Sequence, residues 1–195
     1  MIQKDDLSYI NEVLAGNKDA FAGLVDRYKD MAYTLAVGLL RDSQEAEEAT
    51  QDAFVKAFRS LQGYKRKARF STWIYRIVYN ECISRLRKRR VHMVSLEEYS
   101  AAEKDHDEMI DNEDITDLEE QRQRVHQALG TLPERDRSIV MLYYFEDLPV
   151  EEIARITGLT SSNVKIRLFR ARKKLHSELN VLINEYNTTQ LTPQS

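Results

Sequence analysis

The sequence predicts an all-α protein, built as two small helical domains joined by an acidic, flexible linker, with a helix-turn-helix in the second. Three observations predict it. Glycine and proline are scarce, six and three among 195 residues, so few positions force the chain to turn. Apolar residues recur at three- and four-residue steps along most of the chain, the period that gives a helix one buried face. Charge, finally, is segregated. Residues 1–62 carry a net of -4, 63–92 a net of +9, 93–120 a net of -11 and 121–195 a net of +3. The net charge of -3 therefore hides two basic patches separated by an acidic strip, and concentrated basic faces are the electrostatic footprint of polyanion binding.

Taken in order, residues 5–15 read as a short helix with Leu7, Ile10, Val13 and Leu14 on one face. A second helix, with Asn17 as its cap, is striped by Ala20, Phe21, Leu24, Val25 and Tyr28. Its spacing runs on through Ala32, Leu35, Ala36 and Leu39 to a break at Arg41 and Asp42. A third helix opens at a capping signal, Ser43, with Glu45, Glu47 and Glu48 in its first turns, where acids complement the helix dipole. Ala46, Ala49, Ala53, Phe54, Ala57, Phe58 and Leu61 are in phase, and the small alanines allow a close helix approach. Glu45, Glu48, Gln51, Asp52, Lys56 and Arg59 lie on its outward side, as a solvated face or a docking face.

Residues 63–70 (GYKRKARF) interrupt the pattern with four basic residues and two aromatics, a composition suited to a loop that meets phosphates while a ring stacks or packs. The helix over 71–90 then separates its faces. Ile74, Tyr75, Val78, Tyr79, Cys82 and Leu86 form an apolar side, Arg76, Asn80, Ser84 and Arg87 the opposite one, and Trp73 the edge between them, where it is core or meets an exposed base. The helix ends in Arg85, Arg87, Lys88, Arg89 and Arg90. The helix dipole favours cations there, but local stabilisation does not call for five of them after a loop with four more. A surface facing DNA or RNA accounts for both.

Residues 93–120 hold twelve acids and one base with isolated hydrophobes between them, the composition of a flexible linker. A helix resumes at Asp117 with Leu118, Val125, Ala128 and Leu129. Another start follows at Thr131-Leu132-Pro133, and residues 137–145 continue it with Ile139, Val140, Leu142 and Tyr143. In the stretch 148–175, Pro149 suits a first helical turn and Val150, Ile153 and Ala154 make a short stripe. Gly158 ends that helix, because it takes a left-handed backbone cheaply. Thr160 or Ser161 caps the next, in which Val164, Leu168, Ala171 and Leu175 share one face. Its other faces carry Asn163, Lys165, Arg167, Arg170, Arg172, Lys173 and Lys174, with no acid from 163 to 176. A short helix, a tight turn and a basic helix form a helix-turn-helix, whose second member fits a DNA major groove. The polar end, from 185 to 195, reads as a frayed tail. The predicted organisation is thus a domain over 1–92, a linker over 93–119, a domain over 120–184 and that tail.

Other chemistries are not indicated. There is no glycine-rich phosphate loop. His92, His106, His126 and His176 are scattered without ligand spacing, and the acids of 106–114 lack the glycine turn of a calcium loop. The lone cysteine, Cys82, is on an apolar face and reads as a small buried hydrophobe. No run approaches the length of a membrane span, and the N-terminal MIQKDDLSYI places acids where a secretory signal needs a basic and then apolar start. A cytoplasmic protein without cofactor, metal or catalysis is expected.

With these residues in view, the chain resembles the bacterial extracytoplasmic-function sigma factors of the sigma-70 family over about residues 10–180. Three motifs carry the resemblance: residues 42–54 (DSQEAEEATQDAF); residues 70–80 (FSTWIYRIVYN), continuing into the basic cluster at 85–90; and residues 132–137 (LPERDR), followed by Glu151-Glu152-Ile153-Ala154, Gly158-Leu159 and 163–172 (NVKIRLFRAR). Two departures from the family's common pattern stand out: Ser162-Asn163 stands where Gly-Thr is frequent, and Val78 where Ala is.

The resemblance implies a dissociable specificity subunit of core RNA polymerase. It implies polymerase docking through Glu45, Glu48, Gln51, Asp52 and Lys56. At the minus-ten element it implies contact with promoter DNA, including the melted non-template strand, through Tyr64, Lys65, Arg66, Lys67, Arg69, Trp73, Arg76, Asn80, Ser84, Arg87 and Lys88. It implies duplex reading at the minus-thirty-five element through Ser161, Ser162, Asn163, Lys165, Arg167, Arg170 and Lys174. An anti-sigma factor as partner, and no membrane insertion, complete the expectation. On the residues alone, a helix-turn-helix regulator acting without polymerase, or an RNA-binding protein using the 63–90 surface, also fits.

Overall fold

A computed structural model describes the backbone of residues 5–97 and 117–190, and side chains within 5–89 and 121–181 except Arg122 and His126. Most of the expected acidic linker lies outside the described residues. Eight α-helices and no strand occur among those described: α1 Asp6–Leu14, α2 Phe21–Leu40, α3 Ser43–Ser60, α4 Phe70–Glu97, α5 Asp117–Gly130, α6 Glu134–Tyr144, α7 Val150–Thr157 and α8 Ser161–Gln190. Two short 3-10 turns, Lys18–Ala20 and Leu61–Gly63, lead into α2 and out of α3.

Local chemistry sets the boundaries. Asp5 caps α1 by accepting from the Ser8 amide at 2.8 Å. Asp42, not Ser43, caps α3, its carboxylate accepting from the Glu45 amide at 2.7 Å. Asn17 makes no side-chain cap, and the 3-10 turn brings the chain into α2 instead. Arg41, at φ 57, and Gly158, at φ 73, close α2 and α7 in the left-handed region. Glycine takes that backbone at no steric cost, whereas arginine does not. Thr160 caps α8, its hydroxyl accepting from the Asn163 amide at 3.2 Å. Two helix ends differ from the sequence expectation. Helix α4 continues to Glu97 and α8 to Gln190, beyond the expected ends near 90 and 185. Neither extension contains a proline or glycine, so nothing in it breaks a helix.

The expected apolar faces of α2, α3 and α4 are buried. Leu24, Leu35, Ala36, Leu39, Ala46, Ala49, Ala53, Ile74, Val78 and Cys82 have no accessible surface. In α1 only part of the stripe goes inward: Ile10 is fully buried, but Leu7 and Leu14 are each 44% exposed. A nine-residue helix laid over the end of a bundle presents one line of contact, not a broad face.

The two halves share one core. Helix α2 packs on α6, and α4 on α7, so that Ile139, Leu142, Ile153 and Val164 join the same buried cluster as Leu39 and Ile74. A glycine permits the first contact. A Cβ on Gly38 would collide with the Sδ and Cε of Met141, so the methionine seats directly on the α2 backbone. Beside it lies Arg137, 5% exposed, with one guanidinium nitrogen donating to the Leu132 carbonyl at 3.0 Å and its Nε without a partner. Burial, and then the charge of Arg41, pushes its pKa down to about 10. A buried, incompletely bonded cation costs stability.

Candidate nucleic-acid interface

Helix α4 presents a basic, polar face because its opposite side is consumed by the core. Tyr75, Val78, Tyr79, Cys82 and Leu86 are buried, while Arg76, Asn80, Arg87 and Lys88 are exposed and Ser84 is half-buried. The run of arginines at its end divides by helical position. Arg85 and Arg89, four residues apart, turn toward α3, whereas Arg87 and Lys88 face outward. Arg85 meets Asp52 at 2.5 Å, Glu48 at 3.3 Å and Glu81 at 3.2 Å, and Arg89 meets Glu45 at 3.6 Å. Lys56 pairs with Glu81, and Gln51 donates to Glu47 at 3.1 Å. The five expected docking residues therefore lie together on α3, four of them tied to α4. Arg85 and Glu81 are largely covered, while the carboxylates of Glu48 and Asp52 stay exposed, and pairs open to solvent on one side add little stability; here they fix where those two carboxylates are held.

The loop before α4 is shaped by aromatic packing. The Tyr64 ring lies 5.7 Å from Phe70 and 5.2 Å from Trp73, and Phe70 lies 5.4 Å from Trp73. The Tyr64 hydroxyl donates to the Ala68 carbonyl at 2.6 Å, closing the loop on itself. Arg66, at φ 56, donates to the Asn11 side chain on α1 at 2.6 Å. Lys65, Arg66, Lys67 and Arg69 are all exposed around this aromatic cluster. Trp73 is neither wholly core nor free: it is half-buried at the rim, its ring tilted against those of Tyr64 and Phe70.

In α8, Val164, Leu168 and Ala171 are buried and Leu175 half-buried, as the spacing predicts. Ser162, Asn163, Lys165, Arg170 and Lys173 are exposed at its start, and Ser161 is half-buried. Two of the expected DNA-binding cations already have protein partners. Arg167, half-buried, pairs with Asp136 of α6, and Lys174 donates to the Thr131 carbonyl at 2.5 Å. Arg172 lies over the rings of Tyr143 and Tyr144 at 5.5 and 5.6 Å, a cation–π contact.

Sequence reasoning missed the residues that join the two faces. Thr72 on α4 donates to Glu152 on α7 at 2.6 Å, Arg69 approaches the same carboxylate at 3.7 Å, and Tyr75 donates to Glu146 at 3.2 Å. Burial pushes the Glu146 carboxyl above its ordinary pKa, and the Tyr75 hydrogen bond opposes the shift. Contacts between residues 71 and 80 positions apart leave no local trace in a sequence. A weak hint existed in Glu152, an acid that shares a helix face with Ile156 four residues on.

Comparison with known proteins decides what these faces belong to. Residues 24–91 match the family model "Sigma-70 region 2" and residues 122–175 match "Sigma-70, region 4". The chain is 32% identical to the ECF RNA polymerase sigma factor SigW of Bacillus subtilis, over 87% of this chain and 94% of that protein. The chain belongs to the extracytoplasmic-function sigma factors of the sigma-70 family. Another relative of this sigma factor is the RNA polymerase sigma-H factor of Pseudomonas aeruginosa, 32% identical over 95% of this chain and 99% of the other. The fold is shared with the sigma factor RpoE of Bartonella quintana, solved in complex with the anti-sigma factor NepR. That likeness has a TM-score of 0.66 at 23% identity and covers 83% of this chain and 97% of that one. As a member of this family, the sigma factor directs RNA polymerase to promoters and is not an enzyme. No helix among its described residues is long and apolar enough to cross a membrane.

Proposed function

We propose that this sigma factor divides promoter recognition between its halves. The outward side of α4 and the loop before it take the melted non-template strand at the minus-ten element, and α7 and α8, as a helix-turn-helix, read the minus-thirty-five duplex. The observation that carries this reading is the pair of exposed basic faces, one on α4 and one on the N-terminal part of α8, each backed by buried apolar residues. Phosphates meet Arg76, Arg87, Lys88, Lys165 and Arg170, while Asn80 and Ser84 on one face, and Ser162 and Asn163 on the other, supply the short polar groups that meet base edges. An unpaired base enters beside Tyr64, and holding it outside the stack offsets part of the few-kcal/mol cost of unstacking. The α3 face with Glu48 and Asp52 docks on core polymerase, and the acidic run at 93–120 lies along a positively charged polymerase channel.

In the packing of the free chain the two readers are close. Helix α4 touches α7 and α7 touches α8, so at 8–10 Å per helix contact their axes come within about 20 Å of each other at most. The two promoter elements, about 25 base pairs apart by their names, are separated by about 85 Å of duplex at 3.4 Å per step. The seam through Thr72, Tyr75, Glu146 and Glu152 therefore opens when both elements are bound. An anti-sigma factor is a further partner, as the Bartonella quintana relative's complex with NepR supports, and it acts here by keeping the seam closed. All of these contacts belong in the cytoplasm.

Permanganate reactivity of thymines in the minus-ten element tests the division of labour. Holoenzyme carrying Asn80→Ala is expected to protect the minus-thirty-five element as the wild type does while exposing fewer unpaired thymines. Equal loss at both elements, or no change at either, contradicts it.

A further inference from the structure

We infer that Ile166 reads the C5-methyl group of a thymine in the minus-thirty-five duplex. The inference rests on the reading of α8 as the duplex-recognition helix. At 100° per residue, Val164, Leu168 and Ala171 point into the core, and Ile166 stands on the opposite side of the helix. It is 47% exposed. Its neighbours on that outward side are the residues three and four positions away, Ser162 and Asn163 before it and Phe169 and Arg170 after it; all four are exposed.

A single exposed isoleucine is ordinary on a protein surface. This one is set among Lys165, Arg170 and Lys173, in a segment with no acid from 163 to 176, and that surroundings selects a polyanion as the occupant. A major groove offers two kinds of feature to a side chain on its floor, hydrogen-bonding base edges and the thymine methyl. Serine and asparagine satisfy the first. An aliphatic side chain without donor or acceptor gains from the second alone, and over the edge of a G·C pair it would strip water from polar atoms without replacing it. Ile166 thereby favours a T·A pair at the position it covers and disfavours the others. Lys165 and Arg170, on either side, set the register by holding phosphates.

The test uses duplexes carrying the minus-thirty-five element selected by the holoenzyme, in which each thymine in turn is replaced by deoxyuridine. That change removes the methyl group and leaves pairing and the O4 acceptor intact. Wild-type protein is expected to bind one of the substituted duplexes about fourfold more weakly, the worth of one buried methyl-sized group. Ile166→Ala is expected to bind that duplex and its thymine parent equally, and Ile166→Val to keep most of the discrimination. The side chain is exposed, so these variants keep the fold. The inference is overturned if no thymine shows a methyl effect, or if the effect survives in Ile166→Ala, while sequence-specific duplex binding persists. If the wild-type holoenzyme makes no specific contact with the duplex, the recognition-helix reading fails and takes this inference with it.

Discussion

A chain carrying Thr72→Cys and Glu152→Cys, bridged by a short bis-methanethiosulfonate reagent, is expected to bind a minus-thirty-five duplex yet drive no initiation above that of core polymerase alone. The two side chains are 2.6 Å apart across the seam between α4 and α7, so the bridge fixes the packing of the free chain. The exposed start of α8 stays open in that packing, which preserves duplex binding. Spanning both promoter elements does not survive it, because a body with its readers at most about 20 Å apart cannot cover about 85 Å of duplex. Removing the bridge with reductant restores initiation, and the unbridged double variant initiates throughout. Thr72 and Glu152 are themselves buried, so the reagent is added in mild denaturant before the chain is returned to buffer, and every variant carries Cys82→Ala so that no third thiol takes it. A bridged chain that initiates as well as the unbridged one shows that the halves need not part.

Replacing Lys165 and Arg170 together by alanine is expected to weaken duplex binding by roughly 60-fold at 0.1 M salt and roughly 20-fold at 0.2 M. Both figures follow from releasing about 0.9 of a counterion per phosphate contact, so the slope of log affinity against log salt falls by about 1.8. Both residues are exposed on a face that buries nothing, which keeps the fold intact. Arg167 is a different case. Its guanidinium pairs with Asp136 across α6 and α8, so Arg167→Ala first loosens the attachment of the recognition helix and leaves a half-buried carboxylate without its partner. A double variant with unchanged salt slope would move the phosphate contacts elsewhere.

What the sequence revealed, and what it did not, follows from the range of the interactions. The stripe Val164, Leu168, Ala171 and the alanine-rich face of α3 were legible because helical burial repeats every three or four residues. The capping of α3 was misplaced by one residue, since Asp42 and Ser43 are both good caps and neighbours. The basic run at the end of α4 was read as one nucleic-acid surface. Arg85 and Arg89 share a face four residues apart, and that face meets the acids of α3; the spacing was visible, the acids opposite were not. Arg41 in the left-handed region, the seating of Met141 on Gly38 and the hydrogen bonds of Glu146 and Glu152 depend on how the halves meet, which no local period encodes. Ile166 was passed over for the opposite reason. An apolar residue out of phase with the core reads as noise until its exposure is seen beside its charged neighbours.

The most direct measurement is run-off transcription by purified core RNA polymerase, with and without this chain, on templates carrying promoters selected from a random DNA library. Transcripts starting at one defined position and appearing when the chain is present are the predicted result. Core polymerase that gains no promoter-directed initiation from the added chain would contradict the account.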